Sequence, residues 1–261
     1  MTPTAHPWPY PRWIAHRGAG QLAPENTLAA FRLGASFGYR MFECDVKLSA
    51  DDVPFLLHDT DLLRTTNAQA ALGAHADDKV SLIGGDHDWA TLSRLDAGSW
   101  HSPAFADEPL PTLQAVARYC LANAHFLNIE IKPTPGLERH TGEVVAQHVA
   151  RLWPTNVPSP LLTSFEVTAL AGARQAQAQL PRGLLLKSLW TGWLETAKRL
   201  GCVAIVAEQT LWNASNVGQA KNAGLRCLSY TVNDATQAQR LLGLGLDGLI
   251  TDRVNEFDPG L

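Results

Sequence analysis

The sequence has no CxxC pair and no histidine at zinc-ligand spacing from a cysteine. Its four cysteines, Cys44, Cys120, Cys202 and Cys227, are scattered along 261 residues. That argues against a disulfide framework or a structural zinc site, and it suits a reducing compartment in which each thiol is a small buried apolar group. No apolar run approaches the ~18 residues of a membrane span. The N-terminal MTPTAHPWPYPRW has no charged stretch followed by an apolar one, so no secretory signal is expected and the localisation expected is cytoplasmic. With a net charge of −4 and no basic block, neither nucleic acid nor membrane is an expected partner. There is no internal repeat and no low-complexity tract. The oligomeric state, monomer or dimer, is left open.

What is there is alternation. Short apolar runs at 14–15, 41–42 (leading into 43–45), 55–58, 126–132, 161–165, 182–187, 203–207, 225–232 and 248–251 read as strands. Between them lie helical patterns at 27–37, 110–122 (with Pro111 suited to a first turn), 141–153, 167–179, 194–200, 216–222 and 235–242. The stretch 68–88 loses periodicity and reads as an insertion or long loop. Strands alternating with helices call for parallel pairing with crossovers. If 55–58 is a side strand, eight strands remain. The expected fold is then a (β/α)8 TIM barrel forming one domain over 1–261, with a doubly wound open sheet as the alternative.

Polar residues gather where several strands end. Glu43 and Asp45 are two apart and share one strand face, as do Glu130 and Lys132. Strand alternation turns Cys44 outward, toward a helix. If these strands belong to one barrel, three carboxylates converge. Two like charges ~4 Å apart repel by about 4 kcal/mol at an effective dielectric near 20, so such a cluster needs a cation or must protonate. Hard oxygen ligands favour Mg²⁺ or Ca²⁺. The alternative is that each acid is paired separately at the surface. His16 and His58 each follow an apolar run and suit a general acid and a general base. Arg17 suits bidentate capture of a phosphate or carboxylate. The group His75, Asp77, Asp78, Asp86, His87 and Asp88 lies where no apolar periodicity holds it, and reads as a solvated loop rather than a second metal site. Trp100, Phe165 and Tyr230 each either wall a pocket or pack. Tyr230 reads as a wall, because its strand ends in Asn233-Asp234.

Taken together, the motifs resemble the glycerophosphodiester phosphodiesterase family. They are AHRG (15–18), APENT (23–27), the ExD of Glu43 and Asp45, HD (58–59), RTT (64–66), LDAGSW (95–100), NIEIKP (128–133), SF (164–165), YTVND (230–234) and DGLITD (247–252), in order along almost the whole chain. The resemblance implies a barrel with a small insertion after the second strand, here about 67–110. It implies one divalent cation on Glu43, Asp45 and Glu130, with Mg²⁺ the first choice and Ca²⁺ or Mn²⁺ as alternatives. It also implies acid/base catalysis by His16 and His58, phosphate contact through Arg17 and Lys132, and a place near the substrate for Glu25, Phe165 and Tyr230. The reaction implied is hydrolysis of glycerophosphodiesters to sn-glycerol 3-phosphate and an alcohol, the attack coming from water or from the glycerol 2-hydroxyl. Rival readings are a lysophospholipase D-type activity and a barrel that binds glycerophosphodiesters without cleaving them. The stretch 67–89, Lys187, Glu208 and Gln209 depart from the family pattern.

Overall fold

The computed structural model describes residues 8–73 and 80–260. Among the described residues nine strands form: β1 (Trp13–Ala15), β2 (Met41–Leu48), β3 (Pro54–Leu56), β4 (Phe126–Ile131), β5 (Leu161–Ser164), β6 (Arg182–Leu186), β7 (Ala204–Glu208), β8 (Arg226–Tyr230) and β9 (Gly248–Thr251). The helices are α1 (Leu28–Ser36), α2 (Ala68–Ala71), α3 (Trp89–Leu92), α4 (Leu113–Ala122), α5 (Glu138–Leu152), α6 (Val167–Ala176), α7 (Trp193–Arg199), α8 (Ala214–Asn222) and α9 (Ala235–Gly243). Neighbouring strands run parallel in the order β1-β9-β8-β7-β6-β5-β4-β2, and β1 pairs with β2 through Ala15 and Phe42 to close the ring. The fold is the expected (β/α)8 TIM barrel. β3 is the side strand, antiparallel on the end of β2. No helix among the described residues is long and apolar enough to cross a membrane.

The pleat sorts each strand's residues into two cores. Inward side chains at the lower end of the barrel, Ile14, Met41, Leu161, Leu185, Ala204, Val206, Leu228 and Ile250, form a plug closed by Tyr10. The alternate residues, Cys44, Val46, Ile129, Leu162, Leu184, Ile205, Cys227 and Leu249 among them, pack outward under the helices. All four thiols are buried and unpaired, with Cys44 on the helix side as strand alternation requires.

Helix ends follow local chemistry. Thr27, Thr112 and Asp234 cap α1, α4 and α9 by accepting from Ala30, Ala115 and Gln237 backbone N–H groups. The Thr112 cap displaces the expected start: Pro111 stays outside α4, and its carbonyl accepts from Leu56 N–H. α5 begins earlier than expected and α6 ends earlier. The described parts of that stretch, 68–73 and 80–88, are more than a loop, because they help build a third, small core. Ala68 packs there with Phe55, Leu57, Leu62, Leu92, Leu95, Ala97 and Leu110. Short apolar clusters of this kind carry no 3.6-residue period over a long window, so the pattern in sequence is weak.

Candidate active site

Following each inward column to the upper rim gives the site directly. Ile14 is followed two residues on by His16, Ile250 by Asp252, Met41 by Glu43 and Asp45, and Asn128 by Glu130 and Lys132. The other four columns end in Phe165, Lys187, Glu208 and Tyr230. Except for Ile14, Met41, Asp45 and Asp252, all of these residues line a cavity of about 350 Å³, together with Arg17 and His58.

The acids meet: one oxygen from each of Glu43, Asp45 and Glu130 lies within 4.8 Å of the others, and this is the one such group among the described residues. Asp45 is buried beneath the cavity floor, where Asn26 Nδ2 donates to it at 2.9 Å and Arg17 Nε approaches at 3.3 Å. Lys132 Nζ lies 2.9 Å from Glu130 and 3.5 Å from Asp45. The charges are uneven. Burial would raise Asp45, but Arg17, Lys132 and His58 outweigh it and hold its carboxyl below the usual range. Burial and the neighbouring acids push Glu43 well up, and burial with Asp45 repulsion pushes Glu130 up to about 7 despite Lys132. Three converging, mutually repelling carboxylates fit a hard divalent cation better than they fit one another.

Both histidines are oriented by an aspartate. His16 Nδ1 lies 2.6 Å from Asp252, and His58 Nδ1 lies 2.6 Å from Asp59, which leaves each Nε2 for other contacts. Their aspartates differ. Asp59 also takes two hydrogen bonds from Arg64, Nε at 2.6 Å and Nη2 at 3.1 Å, so its charge is shared. Asp252 accepts instead from the neutral Asn233 amide at 2.8 Å. Burial, with Arg17 and Lys132 nearby, holds His58 below the ordinary imidazole value despite Asp45.

The loop after β1 is built around close approach. Gly34 in α1 leaves room for the Gly18 carbonyl, which a Cβ would strike at 2.1 Å. Arg17 takes φ 50°, uncommon outside glycine and asparagine and characteristic of functional loops. The strain is held by Arg17 N–H donating to Glu43 at 3.1 Å and Asn26 N–H donating to the Arg17 carbonyl at 2.9 Å. The APENT motif acquires its reason here: Glu25 pairs with Arg17 at 2.8 Å and with Arg64 at 2.8 Å, Asn26 holds Asp45, and Thr27 starts α1. Arg17 Nε is buried without a hydrogen-bond partner. Glu25, Arg64, Trp100 and Asp252 line a second cavity of about 420 Å³, which meets the first at His16 and Arg17.

Of the sequence's other candidates, Asp86 accepts from Ser81, His87 contacts the Ser81 carbonyl and Asp88 caps α3, so each serves a local turn. His75, Asp77 and Asp78 lie outside the described residues. Residues without an assigned part in the sequence reading are Asp252, Asn233, Asp59, Arg64, Asn26 and Lys47. The first five stood inside quoted motifs, but nothing in the sequence says that residues about 236 positions apart, such as His16 and Asp252, touch. Lys47 lies behind the site, its ammonium donating to the Lys132 carbonyl at 3.3 Å. Burial and Lys132 lower it to about 8.

Residues 16–256 match the glycerophosphoryl diester phosphodiesterase family. The chain belongs to that family. It is thus an enzyme, a phosphodiesterase. Among relatives of the family, the Bacillus subtilis protein YhdW, named provisionally for the same activity, is 31% identical over 92% of this chain and 93% of its own. A glycerophosphodiester phosphodiesterase of Caldanaerobacter subterraneus is 28% identical over 92% of this chain and 93% of its own. An Oleispira antarctica phosphodiesterase, solved with the product sn-glycerol-3-phosphate, superposes with a TM-score of 0.82 at 34% identity, covering 93% of each chain.

Proposed function

We propose that the protein hydrolyses glycerophosphodiesters to sn-glycerol 3-phosphate and an alcohol, with a divalent cation on Glu43, Asp45 and Glu130 and with His58 and His16 as base and acid. The observation carrying this is the meeting of three carboxylates between two aspartate-oriented histidines. Mg²⁺ is the cation proposed, and when bound it would polarise a phosphate oxygen and offset charge in the transition state. The remaining steps belong to the chain's own groups. Arg17 and Lys132 flank the acids and can share the charge that grows on the phosphoryl oxygens. Phe165, Tyr230 and Glu25 border the space for the two arms of the diester.

His58 is the base because burial and two nearby cations favour its neutral form. Its Nε2 takes the proton of the attacking hydroxyl as the new P–O bond forms. His16 is the acid because the Asp252 carboxylate orients its ring through Nδ1 and leaves Nε2, at the cavity, to donate. Its proton goes to the leaving alkoxide as the old P–O bond breaks.

The test is glycerol 3-phosphate release from glycerophosphocholine by EDTA-stripped protein, with Mg²⁺, Ca²⁺ or Mn²⁺ restored. Release only with metal, strongest with Mg²⁺, is the expected result. Full release without metal would overturn the metal's part, and choline phosphate as product would overturn the direction of cleavage.

A further inference from the structure

The half of the rim opposite the metal site carries charges that the reaction does not use. β6 and β7 pair in parallel through Leu186 and Ala207, and the next residues beyond that pair are Lys187 and Glu208. Both continue the inward columns of Leu185 and Val206, and both line the cavity. Lys187 is exposed and makes no ion pair among the described residues, with Glu208 or any other acid. Glu208 also lacks an ion pair. Its Oε2 accepts from Thr210 N–H at 2.8 Å and from the Thr210 hydroxyl, which fixes the side chain and leaves Oε1 without a partner among the described residues. The other cations of the cavity, Arg17 and Lys132, are each engaged by carboxylates. Two opposite, unneutralised charges on adjacent strands therefore face one space. Phe165 and Tyr230 wall it edge to face at 5.7 Å between ring centroids.

From this we infer that Lys187 and Glu208 form a subsite for a zwitterionic alcohol, one bearing a carboxylate and an ammonium together, so that the preferred diester is glycerophosphoserine. This rests on the proposed phosphodiesterase reaction and names its substrate class. The Lys187 ammonium meets the head-group carboxylate and Glu208 Oε1 meets the head-group ammonium. Each is a charge-assisted hydrogen bond of a kind that both fixes orientation and adds affinity. A head group with an ammonium alone satisfies only Glu208 and leaves Lys187 unanswered, and a neutral glycerol head group satisfies neither. The phosphate stays at Arg17 and Lys132, and no residue of the acid/base pairs takes part in the discrimination.

The experiment measures kcat/KM of the Mg²⁺-loaded enzyme on glycerophosphoserine, glycerophosphoethanolamine and glycerophosphoglycerol, for the parent and for Lys187→Met, Lys187→Glu and Glu208→Gln. The order serine, ethanolamine, glycerol is expected. Lys187→Met lowers the serine-to-ethanolamine ratio about tenfold or more, chiefly through KM, and Lys187→Glu reverses the preference. Glu208→Gln lowers the ethanolamine-to-glycerol ratio. Near-equal parent rates, or a Lys187 variant that depresses all three substrates alike, overturn the inference. The second result would mean that the glycerol arm occupies the subsite. Hydrolysis of none of the three by the metal-loaded parent overturns the reaction itself and the inference with it. Lys187 is exposed, so thermal unfolding of each variant should match the parent, and a fall in Tm would assign any lost activity to folding and discard that variant in favour of the other Lys187 substitution.

Discussion

The two halves of the barrel mouth are built to different rules. Over β9, β1, β2 and β4, the charged groups interlock: Asp252 with His16, Arg17 with Glu25 and Asp45, Lys132 with Glu130. Over β5 to β8, aromatic rings stack edge to face and the two charges stand apart. The first half is organised for one chemistry whatever the alcohol, since every group's geometry is fixed by another group of the site. The second leaves the Lys187 ammonium and Glu208 Oε1 available, as suits selection among ligands. A substitution in the first half should therefore change turnover on every substrate, and one in the second should change the ranking of substrates.

The largest effect belongs to Glu43→Gln. It removes one of the three proposed cation ligands, while its amide oxygen can still accept from Arg17 N–H. Activity should fall by at least ~10³-fold, in keeping with the share of transition-state charge a metal carries. Metal-free stability should not fall and should rise, because a buried carboxylate repelled by Asp45 and Glu130 has been neutralised. Thermal unfolding in EDTA checks the second half of this prediction. A marked loss of Tm would mean that Glu43 is ordinary structural ballast rather than a ligand held against repulsion.

Next is Asp252→Asn, which keeps the shape beside His16 and Asn233 but removes the carboxylate that orients the His16 ring through Nδ1. Turnover of alkyl diesters should drop ~10²-fold, within the usual range for a lost general acid or base. A p-nitrophenyl diester, whose leaving group needs no proton, should be nearly spared, whereas His58→Ala should damage both substrates. Equal losses on both substrates in the Asp252 variant would exchange the parts of the two histidines or end the division between them.

A smaller effect concerns pH in the absence of metal. Glu130 stands at about 7 in the folded chain, raised by burial and by Asp45, against an ordinary carboxylate when unfolded. A raised folded value means that the native state holds a proton the unfolded state has lost between roughly pH 4.5 and 7, so this contribution is present at low pH and disappears as pH rises through 7. Glu43 acts in the same direction, and His58, lowered chiefly by burial, opposes it as pH rises toward the ordinary imidazole value. A bound cation competes with those protons. The Tm increment produced by Mg²⁺ should accordingly grow from pH 5.5 to 8. An increment independent of pH would mean that the acids are already ionised without metal.

How much of this was open to a reader of the sequence divides along the same line. Barrel strands announce themselves because each is a local apolar run. Glu43, Asp45, Glu130 and Lys132 share faces because a strand's period is two. Those statements need only neighbours in the chain. The Asp252 contact with His16, the Arg64 bridge between Asp59 and Glu25 and the pairing of Asn26 with Asp45 depend on closure of the ring and on a tight loop, and no local period encodes them. The small core that joins Phe55 and Leu57 to Leu62, Ala68, Leu92 and Leu110 escaped for a related reason: its members come from β3, two short helices and the turns around them, so no single window shows its pattern.

The smallest effect tests whether the second half of the mouth is recognition surface at all. Tyr230 Oη donates to the Leu186 carbonyl at 3.1 Å, reaching past β7 to tie the end of β8 to the end of β6. Its hydroxyl is thus engaged in bracing the rim, and only its ring faces Phe165 and the cavity. Tyr230→Phe removes one hydrogen bond and leaves the ring, so stability should fall by about 1 kcal/mol. kcat should change less than about threefold, with any change falling in KM and differing among head groups. A large, substrate-independent loss of kcat at unchanged Tm would place the phenol in the chemistry. The line between a reacting half and a selecting half would then have to move across β8.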